Sequence, residues 1–312
     1  MSILVFGSIN MDLVVQTPRL PQPGETLTGY NFLSVAGGKG ANQAVAASRL
    51  GAKTEMVGRV GGDAFAQELL EGLKANRVGC EGVLRDNCTH SGLATIAVDN
   101  NGENQIIVIP GANGCVGPED VQRLEPLWEE ATSLLLQLEI PLKAVEAAIH
   151  AAKNAGVRVI LDPAPAPDVF PQQLYPLVDI ITPNETEASQ LVGFRVNNVE
   201  TAQKAADTLL DFGVKTAVIK LGSKGVFWAT KSESFWVPAF AVNAVDTVAA
   251  GDAFNGGMAA ALDEGRSLKE AILWGAATGA LSTTQVGAQS SLPDRQALDD
   301  VLMPPMSTFT IN

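Results

Sequence analysis

Apolar strand-like runs alternate with helix-like runs along most of this chain. Examples are ILVFGSI (3–9) followed by GANQAVAASRLGA (40–52), and SLLLQLE (133–139) followed by PLKAVEAAIHAAKNAG (141–156). The strand-like runs are continuously apolar, which is typical of a parallel sheet covered on both faces. The pattern therefore predicts an α/β fold, in which a doubly wound, mostly parallel sheet is flanked by helices.

Two segments interrupt this alternation. Residues 12–35 contain three prolines among β-type residues, and residues 91–109 predict a hairpin that turns at Asn100-Asn101-Gly102. Neither segment has a helix that would complete a βαβ unit. We expect them to form a small antiparallel lid at the sheet edge, although two surface hairpins fit the same pattern. With no linker or internal repeat, a single domain over residues 1–312 is expected.

Composition and charge narrow the classes of function. The chain carries 34 acidic and 21 basic residues, a formal net charge of −13. This argues against a nucleic-acid partner, because nucleic-acid-binding surfaces are basic. No apolar run approaches the roughly 20 residues that span a bilayer, so no membrane is expected. The three cysteines, Cys80, Cys88 and Cys115, form no CxxC pair and favour a reducing, cytoplasmic location.

The segment DTVAAGDAFNGG (246–257) places two acids around a run of very small residues. Small residues at a helix start leave backbone N–H groups exposed, and these amides bind anions with the help of the helix dipole. Asp252 then lies beside the anion, where a carboxylate can accept a hydroxyl proton during phosphoryl transfer. The alternative is structural: Asp246 caps the turn, and Asp252 only interacts with the positive end of the helix.

Two further segments carry groups suited to a sugar. AGGKGANQA (36–44) lacks the P-loop pattern and the third glycine of the dinucleotide fingerprint, but its glycines allow close approach to a ligand. Asn42 within it offers both a donor and an acceptor. In GSINMD and LLLQLE, the strand-end residues Asn10, Asp12 and Glu139 lie where open α/β sheets bind ligands. A tight turn and solvated strand ends are the alternative explanations.

Three later segments carry groups suited to a nucleotide and its metal ions. ITPNETEA (181–188) places Asn184 and Glu187 at a helix start, where they fit a capping box or can order the water shell of Mg²⁺. KLGSKG (220–225) and QVGAQSS (285–291) are loops rich in glycine, serine and carbonyl groups. The first is suited to flank a nucleotide and the second to coordinate a monovalent cation, but spacing alone decides neither.

Together, these segments resemble the ribokinase-like carbohydrate kinases. They occur in the order of that family and span nearly the whole chain: GSINMD (7–12), PGETLTG (23–29), GGKGANQAVAA (37–47), LLLQLE (134–139), DIITPNETEA (179–188), VDTVAAGDAFNG (245–256) and GAQSSLP (287–293). The resemblance implies an ATP-dependent kinase that phosphorylates the 5-hydroxyl of D-ribose. Deoxyribose, fructose or a nucleoside are alternative substrates. A non-catalytic sugar-binding protein and a nicotinamide oxidoreductase are alternatives of another class.

The resemblance also implies a role for each matching residue. Asp252 is the catalytic base, and the anion hole is formed by the amides of Ala249, Ala250 and Gly251. The ribose site comprises Asn10, Met11, Asp12, Gly38, Lys39, Gly40, Ala41, Asn42, Glu139 and Asp252. The ATP site comprises Asn184, Lys220, Leu221, Gly222, Ser223, Lys224, Gly225, Gly251, Asp252 and Ala276. Potassium is held by Asp246, Val248, Ser282, Gln285, Gly287 and Ser291, and Mg²⁺ is organised through water by Glu187.

Four positions depart from the family pattern: Val248, Lys220, Ala276 and Ser290. Val248 contributes only a carbonyl, so no effect is expected there. The other three are expected to alter nucleotide affinity and cation dependence. The resemblance further implies a homodimer formed through the lid strands, and a lid that closes over the sugar.

Overall fold

The computed structural model describes residues 1–302. Its strands are β1 Ser2–Phe6, β2 Asn10–Gln16, β3 Asn31–Gly37, β4 Thr54–Gly61, β5 Val78–Asp86, β6 Gly92–Val98, β7 Asn104–Ile109, β8 Ala131–Leu136, β9 Arg158–Leu161, β10 Ile180–Ile181, β11 Thr216–Lys220, β12 Val226–Thr230 and β13 Ser234–Val237. Its α-helices are α1 Lys39–Arg49, α2 Ala64–Ala75, α3 Leu142–Asn154, α4 Glu185–Val192, α5 Val199–Asp211, α6 Ala250–Asp263, α7 Leu268–Ser282 and α8 Arg295–Leu302. The predicted domain also includes residues 303–312, which lie outside this described part.

Nine strands form one sheet in the order β13-β12-β11-β10-β9-β8-β1-β4-β5. The strands from β11 to β5 are parallel to their neighbours, whereas β12 and β13 add an antiparallel edge. The predicted α/β fold with a mostly parallel sheet is confirmed. The chain builds outward from β1 first on one side and then on the other. The carboxyl ends of β1 and β8 therefore border a crevice of the kind that binds ligands in open α/β sheets.

Both faces of this sheet are buried, which explains the continuously apolar strands. Along β1, Ile3 and Val5 belong to a hydrophobic cluster with α1, α2, α6 and α7. Leu4 and Phe6, which point the other way, belong to a second cluster with α3 and α5. Polar residues that follow such strands are thus held on a rigid scaffold. Within residues 1–302, no helix has the length and apolar character needed to cross a bilayer.

The predicted lid segments, 12–35 and 91–109, contribute to one second sheet in the order β3-β2-β6-β7, which we call the lid. Its outer pairs are antiparallel, and its central pair, β2–β6, is parallel with Asn10 opposite Gly92. This central pairing excludes two separate surface hairpins. The β6–β7 turn contains Gly102 at a φ of 82°, a left-handed conformation that the Asn-Asn-Gly sequence favours.

Helices α1 and α6 approach each other closely beside the end of β1. At Gly40, an added Cβ would lie 2.7 Å from a backbone nitrogen of the loop after β1. At Gly256, it would lie 2.5 Å from the Cβ of Ala46. Neither position has room for a side chain. The two glycines therefore allow Asn42 on α1 to reach Asp252 on α6.

We expect Gly256→Ala to lower the free energy of unfolding by about 1–3 kcal/mol, because overpacking forces α1 and α6 apart. Urea denaturation measures this change. Gly72→Ala is the matched control, since Gly72 also lies within a helix but, apart from adjacent residues and the backbone of that helix, no atom of residues 1–302 lies within 4 Å of an added Cβ. Alanine there should be neutral or slightly stabilising. Equal effects of the two substitutions would contradict the close-packing explanation.

Candidate active site

A glycine-rich turn brings the start of α1 against β2. Gly38 precedes α1 with a φ of 87°, and an added Cβ there would lie 2.7 Å from the backbone nitrogen of Asn10. Only glycine meets both requirements. Lys39 follows at once, and it lies close enough to Asp12 to influence the ionisation of that carboxyl. The structure thus brings together the predicted polar residues of α1 and β2. The expectation that Asn10 and Asp12 end a buried strand was wrong, because β1 ends at Phe6 and both residues lie at the start of β2 in the lid.

Glu139 is fixed by two donors from the same region. The Ser8 hydroxyl donates to Glu139 Oε2 at 2.6 Å, and Lys39 N donates to the same oxygen at 3.1 Å. The other oxygen, Oε1, accepts no hydrogen bond from the described residues. Glu139 therefore keeps one carboxylate oxygen for a ligand hydroxyl.

A buried asparagine outside the predicted set orients Asn10. Asn113 Nδ2 donates to Asn10 Oδ1 at 2.6 Å and to Ile9 O at 3.1 Å, while Asn113 Oδ1 accepts from Ile9 N at 2.9 Å. Because these bonds occupy Asn10 Oδ1, the free group of the Asn10 amide is its Nδ2 donor. Asn10 is accordingly set to donate to a ligand oxygen.

Asp252 lies in the first turn of α6, and its surface is only 5% exposed. Asn42 Nδ2 donates to Oδ2 at 2.9 Å, and Gln43 Nε2 donates to Oδ1 at 3.1 Å. Burial raises the pKa of the Asp252 carboxyl; Lys39 opposes the shift, and Asp162 adds to it. A carboxylate whose pKa is raised is a better proton acceptor.

Gln43 connects Asp252 to a second buried carboxylate. Gln43 Nε2 also donates to Asp162 Oδ2 at 3.0 Å, and Gln43 Oε1 accepts from Gln137 Nε2 at 2.8 Å. Lys220 Nζ donates to the other oxygen, Asp162 Oδ1, at 3.0 Å. This network joins the ends of β8, β9 and β11 to the start of α6.

The first turn of α6 carries unpaired backbone amides. Ala249 precedes the helix at a φ of 60°, an uncommon, strained conformation for a residue other than glycine. Ala250 N donates to Thr247 O at 3.3 Å, whereas the amides of Gly251 and Asp252 meet no acceptor in residues 1–302. With the positive end of the helix dipole, these amides are suited to bind an anion.

Electrostatic repulsion among carboxylates is strong where the start of β2 meets Glu139 and Asp252. Burial raises the pKa of Asp12 to about 7; Glu139 and Asp252 add to the shift, and Lys39 opposes it. Burial lowers the pKa of Lys39, but four surrounding carboxylates outweigh burial and raise it overall. Lys39 therefore remains charged in the middle of an acidic site.

Asn184 and Glu187 form the capping box that the sequence suggested. Asn184 Oδ1 accepts from Glu187 N at 2.9 Å, and Glu187 Oε2 accepts from Asn184 N at 2.8 Å. Burial raises the pKa of Glu187; Asp162 adds to the shift, and Lys220 opposes it. Glu187 thus caps α4 and also lies within electrostatic range of the Asp162–Lys220 pair.

The loop after β11 is short and open. It forms a 3₁₀ turn over Gly222–Lys224, and Gly225 follows at a φ of 93°. Lys224 Nζ donates to Glu185 Oε1 at 2.8 Å and to Asn197 O at 2.9 Å. These bonds hold the loop against α4 and the start of α5, and the amides of Gly222 and Ser223 meet no acceptor in residues 1–302.

Asp246 joins two loops next to the start of α6. Its Oδ1 accepts from Val248 N at 3.0 Å, and its Oδ2 accepts from Gly287 N at 2.9 Å. Val245 N and Asp246 N both donate to Thr283 O, at 2.7 and 3.1 Å. Asp246 therefore caps the turn, as one interpretation of the sequence expected. The same bonds gather oxygen atoms of the 246–248 and 282–291 segments, and hard cations prefer such oxygen ligands.

Other predicted site residues lie in varied surroundings. The side chains of Met11, Ala41 and Leu221 are buried in the hydrophobic clusters, which leaves only their backbone for a ligand. Ser223 and Gln285 are exposed, and Ala276 is half-buried on α7. Ser282 and Ser291 are buried. Their hydroxyls donate to Gly279 O and Ala288 O, respectively.

Five polar residues of the site were not predicted from the sequence: Ser8, Gln43, Asn113, Gln137 and Asp162. Asp162 follows β9 in the same way as Glu139 follows β8, so the rule about polar strand ends applied to it as well. Asn113 has no comparable sequence signal, because its partner Ile9 is 104 residues away.

These groups are suited to transfer of a phosphoryl group to an alcohol: a buried carboxylate, neighbouring amides that meet no acceptor in residues 1–302, and polar side chains after β8 and β9 and at the start of β2. Comparison with known proteins identifies the family. Residues 1–295 match the model of the pfkB family of carbohydrate kinases. The chain belongs to the pfkB family. The resemblance inferred from the motifs is thereby confirmed.

Within the pfkB family, the chain is 46% identical to the ribokinase of Haemophilus influenzae, over 95% of this chain and 96% of that protein. It is 39% identical to the deoxyribokinase of Salmonella typhimurium, over 97% of this chain and 99% of that protein. The structure of Arabidopsis thaliana ribokinase complexed with ribose and ATP is similar, with a TM-score of 0.89 at 35% identity. That similarity covers 96% of this chain and 98% of the Arabidopsis chain.

The raised pKa of Asp12 predicts how stability depends on pH. In the folded protein this pKa is about 7, against an ordinary value of 3.8. The proton on Asp12 therefore stabilises the fold fully below pH 3.8, and this contribution is lost as the pH rises towards 7. Asp12→Asn removes the ionisation, so we expect the variant to gain stability relative to the wild type between pH 4 and 7.

Urea denaturation of the unliganded proteins at several pH values measures this difference. Glu129→Gln, which changes an exposed acid, is the control and should follow the wild type throughout. A constant difference between Asp12→Asn and the wild type across this range would be evidence against the shifted pKa.

Proposed function

We propose that this pfkB-family protein is a ribokinase, which transfers the γ-phosphoryl group of ATP to the 5-hydroxyl of D-ribose. The products are D-ribose 5-phosphate and ADP. The observation that carries the proposal is the position of Asp252, a buried carboxylate in the same helical turn as two amides that meet no acceptor in the described residues. The identity of 46% with the ribokinase of Haemophilus influenzae supports the choice of substrate.

In the proposed reaction, the sugar oxygen O5 attacks the γ-phosphorus while the bond from that phosphorus to the β–γ bridging oxygen breaks. ADP leaves with the electrons of that bond, and Asp252 accepts the hydroxyl proton. The amides of Gly251 and Asp252 stabilise the charge on the phosphoryl oxygens. Asn42 and Gln43 each hold one oxygen of the base, which fixes the plane of its carboxylate.

Ribose would be held between the start of β2 and the segment that follows β8. Asn10 offers the Nδ2 donor that Asn113 leaves free, and Glu139 offers its open Oε1 acceptor. Asp12 adds a second carboxylate close by. Two acceptors and a donor around one space can bind neighbouring hydroxyls of a sugar, which both donate and accept. Lys39 would compensate the carboxylate charges.

ATP would lie along the Gly222–Lys224 turn and against Ala276, with its phosphates towards the start of α6. Glu187 would contact water ligands of Mg²⁺, since this ion keeps much of its water shell and shields phosphate charge. Both Glu187 oxygens accept bonds from Asn184, but each retains capacity for a water. Potassium would be held behind the turn by Asp246, Val248, Ser282, Gln285, Gly287 and Ser291, an all-oxygen set.

We also propose a homodimer formed through the lid. Strand β7 is an edge strand, and every one of its residues is exposed. They include consecutive apolar side chains, of which Ile107 is 65% exposed. An exposed apolar edge strand favours pairing with another chain. In this arrangement, the lid would close over the sugar and exclude water that otherwise competes for the phosphoryl group.

The proposal covers a single kinase domain over residues 1–312 and a cytoplasmic location. The three cysteines support a reducing environment, because Cys80, Cys88 and Cys115 are all unpaired.

A coupled assay of ADP release tests the proposed activity. With Mg²⁺ and ATP, we expect the highest kcat/KM for D-ribose, and lower values for 2-deoxy-D-ribose and D-fructose. Deoxyribose is the second candidate, because the Salmonella deoxyribokinase is also closely similar. A higher kcat/KM for deoxyribose would assign the chain to that reaction, and no sugar-dependent ADP release would exclude both.

Asp252→Asn should lower kcat by about 10²–10⁴-fold, because an amide cannot accept the hydroxyl proton. Ribose binding, measured by calorimetry without nucleotide, should persist. Asp263→Asn is the matched control: Asp263 ends the same helix and only accepts a bond from Thr132. An Asp252→Asn enzyme as fast as the control would refute the role of Asp252 as the base.

A further inference from the structure

The Asp162–Lys220 ion pair has no role in the reaction steps described so far, although the family resemblance implies that Lys220 belongs to the ATP site. Its side chains are 3% and 13% exposed, and Nζ lies 3.0 Å from Oδ1. Buried ion pairs seldom repay their desolvation cost, so stability is a weak reason for this one. The pair is also part of the network that reaches Asp252 through Gln43. Its location therefore suggests a function.

The ammonium of Lys220 lies against the first turn of α6. An added Cβ at Gly251 would lie 3.2 Å from Lys220 Nζ. The helix dipole already places partial positive charge at this end of α6. The positive end of α6 repels the Lys220 ammonium. An anion between the two would be attracted by both and would make their close approach favourable.

The donors in this space outnumber their acceptors. An ammonium carries three N–H donors, but Lys220 Nζ makes one hydrogen bond in the described chain, to Asp162. The neighbouring amides of Gly251 and Asp252 also meet no acceptor there. An ammonium and two amides around one space match the several acceptor oxygens of a phosphoryl group.

We propose that Lys220 is a catalytic residue whose ammonium contacts the transferring γ-phosphoryl group. Asp162 is the positioning residue that holds the ammonium there. As the O5–phosphorus bond forms and the bond to the leaving ADP oxygen breaks, Lys220 stabilises the negative charge spread over the phosphoryl oxygens. The proton still goes to Asp252. The inference rests on the proposed kinase function and adds a residue to it.

The chain order supports this location. Lys220 ends β11, and only Leu221 separates it from the Gly222–Lys224 turn, which is proposed to flank the nucleotide. Its partner Asp162 is joined by one amide, Gln43, to the proposed base. Lys220 therefore lies between the nucleotide loop and the base, and the γ-phosphoryl group must cross this interval.

Three variants test the role of Lys220 in turnover. Lys220→Met should lower kcat on the order of 10²-fold, the loss typical of removing one preorganised donor, with the KM for ribose unchanged. The double variant Lys220→Met with Asp162→Asn removes both charges, so no unpaired carboxylate stays buried, and it should be equally slow. Lys220→Arg should recover part of the rate. Lys215→Met is the matched control, because Lys215 pairs with Asp179 at 2.7 Å at the other end of β11.

Two results would overturn the inference. If the double variant turns over like the wild type, the slow single variant reflects only an unpaired Asp162. If Lys220→Met raises the KM for ATP and leaves kcat unchanged, Lys220 binds the nucleotide without stabilising the transfer. A slow double variant that unfolds at the same urea concentration as Lys215→Met would support the inference.

A binding measurement separates this inference from the proposed activity. Calorimetry with Mg²⁺ compares AMP-PNP, which carries a γ-phosphoryl group, with ADP, which does not. Lys220→Met should weaken AMP-PNP binding roughly tenfold and leave ADP binding nearly unchanged. If Lys220→Met weakens only AMP-PNP binding but the protein phosphorylates no sugar, the proposed function is wrong and the contact between Lys220 and the γ-phosphoryl group is supported. Equal losses for both nucleotides would overturn the contact.

Discussion

The site depends on one buried interaction, in which the Asp252 carboxylate accepts hydrogen bonds from Asn42 and Gln43. A carboxylate that is 5% exposed must be hydrogen-bonded, because burial without partners is very costly. Neutral amides meet this need without cancelling the charge, so the group keeps its capacity to accept a proton. The amides reach it only because α1 and α6 approach over glycine. The close packing of two helices and the chemistry of the proposed base are therefore one constraint.

The charges at the site do not balance, because more acidic than basic side chains lie close together there. Two lysines lie among five carboxylates: Lys39, Lys220, Asp12, Glu139, Asp162, Glu187 and Asp252. Burial and mutual repulsion raise the pKa of Asp12, Glu187 and Asp252, which reduces stability near neutral pH. Perturbed pKa values of this kind gather where a site binds ligands or moves protons. The lost stability is consistent with selection for function at these positions.

The sequence predicted those features that local pattern controls. The continuously apolar strands predicted the parallel sheet, and Asn-Asn-Gly predicted the β6–β7 hairpin. The run of small residues predicted the exposed amides at the start of α6. The antiparallel edge β12–β13 was missed although its two strands are neighbours in the sequence. The parallel β2–β6 pair was not anticipated, because pairing between distant strands leaves no local period. Asn113 was missed for the same reason. Asp162 was missed although it ends a buried strand, and its pairing with Lys220, 58 residues away, requires the folded chain.

A net charge of −13 does not prevent such a chain from binding a polyanion. At physiological ionic strength, exposed charges farther away than about 8 Å are largely screened, whereas partly buried groups are screened much less. The potential at a bound phosphate therefore depends mainly on its immediate neighbours. At the proposed phosphate position, the start of α6, these neighbours are two amides that meet no acceptor in residues 1–302, the positive end of the helix dipole and the Lys220 ammonium. Asp162 offsets part of that positive charge and fixes its position. Because backbone amides can supply much of the attraction for a phosphate, the number of lysines in a sequence is a poor guide to phosphate binding.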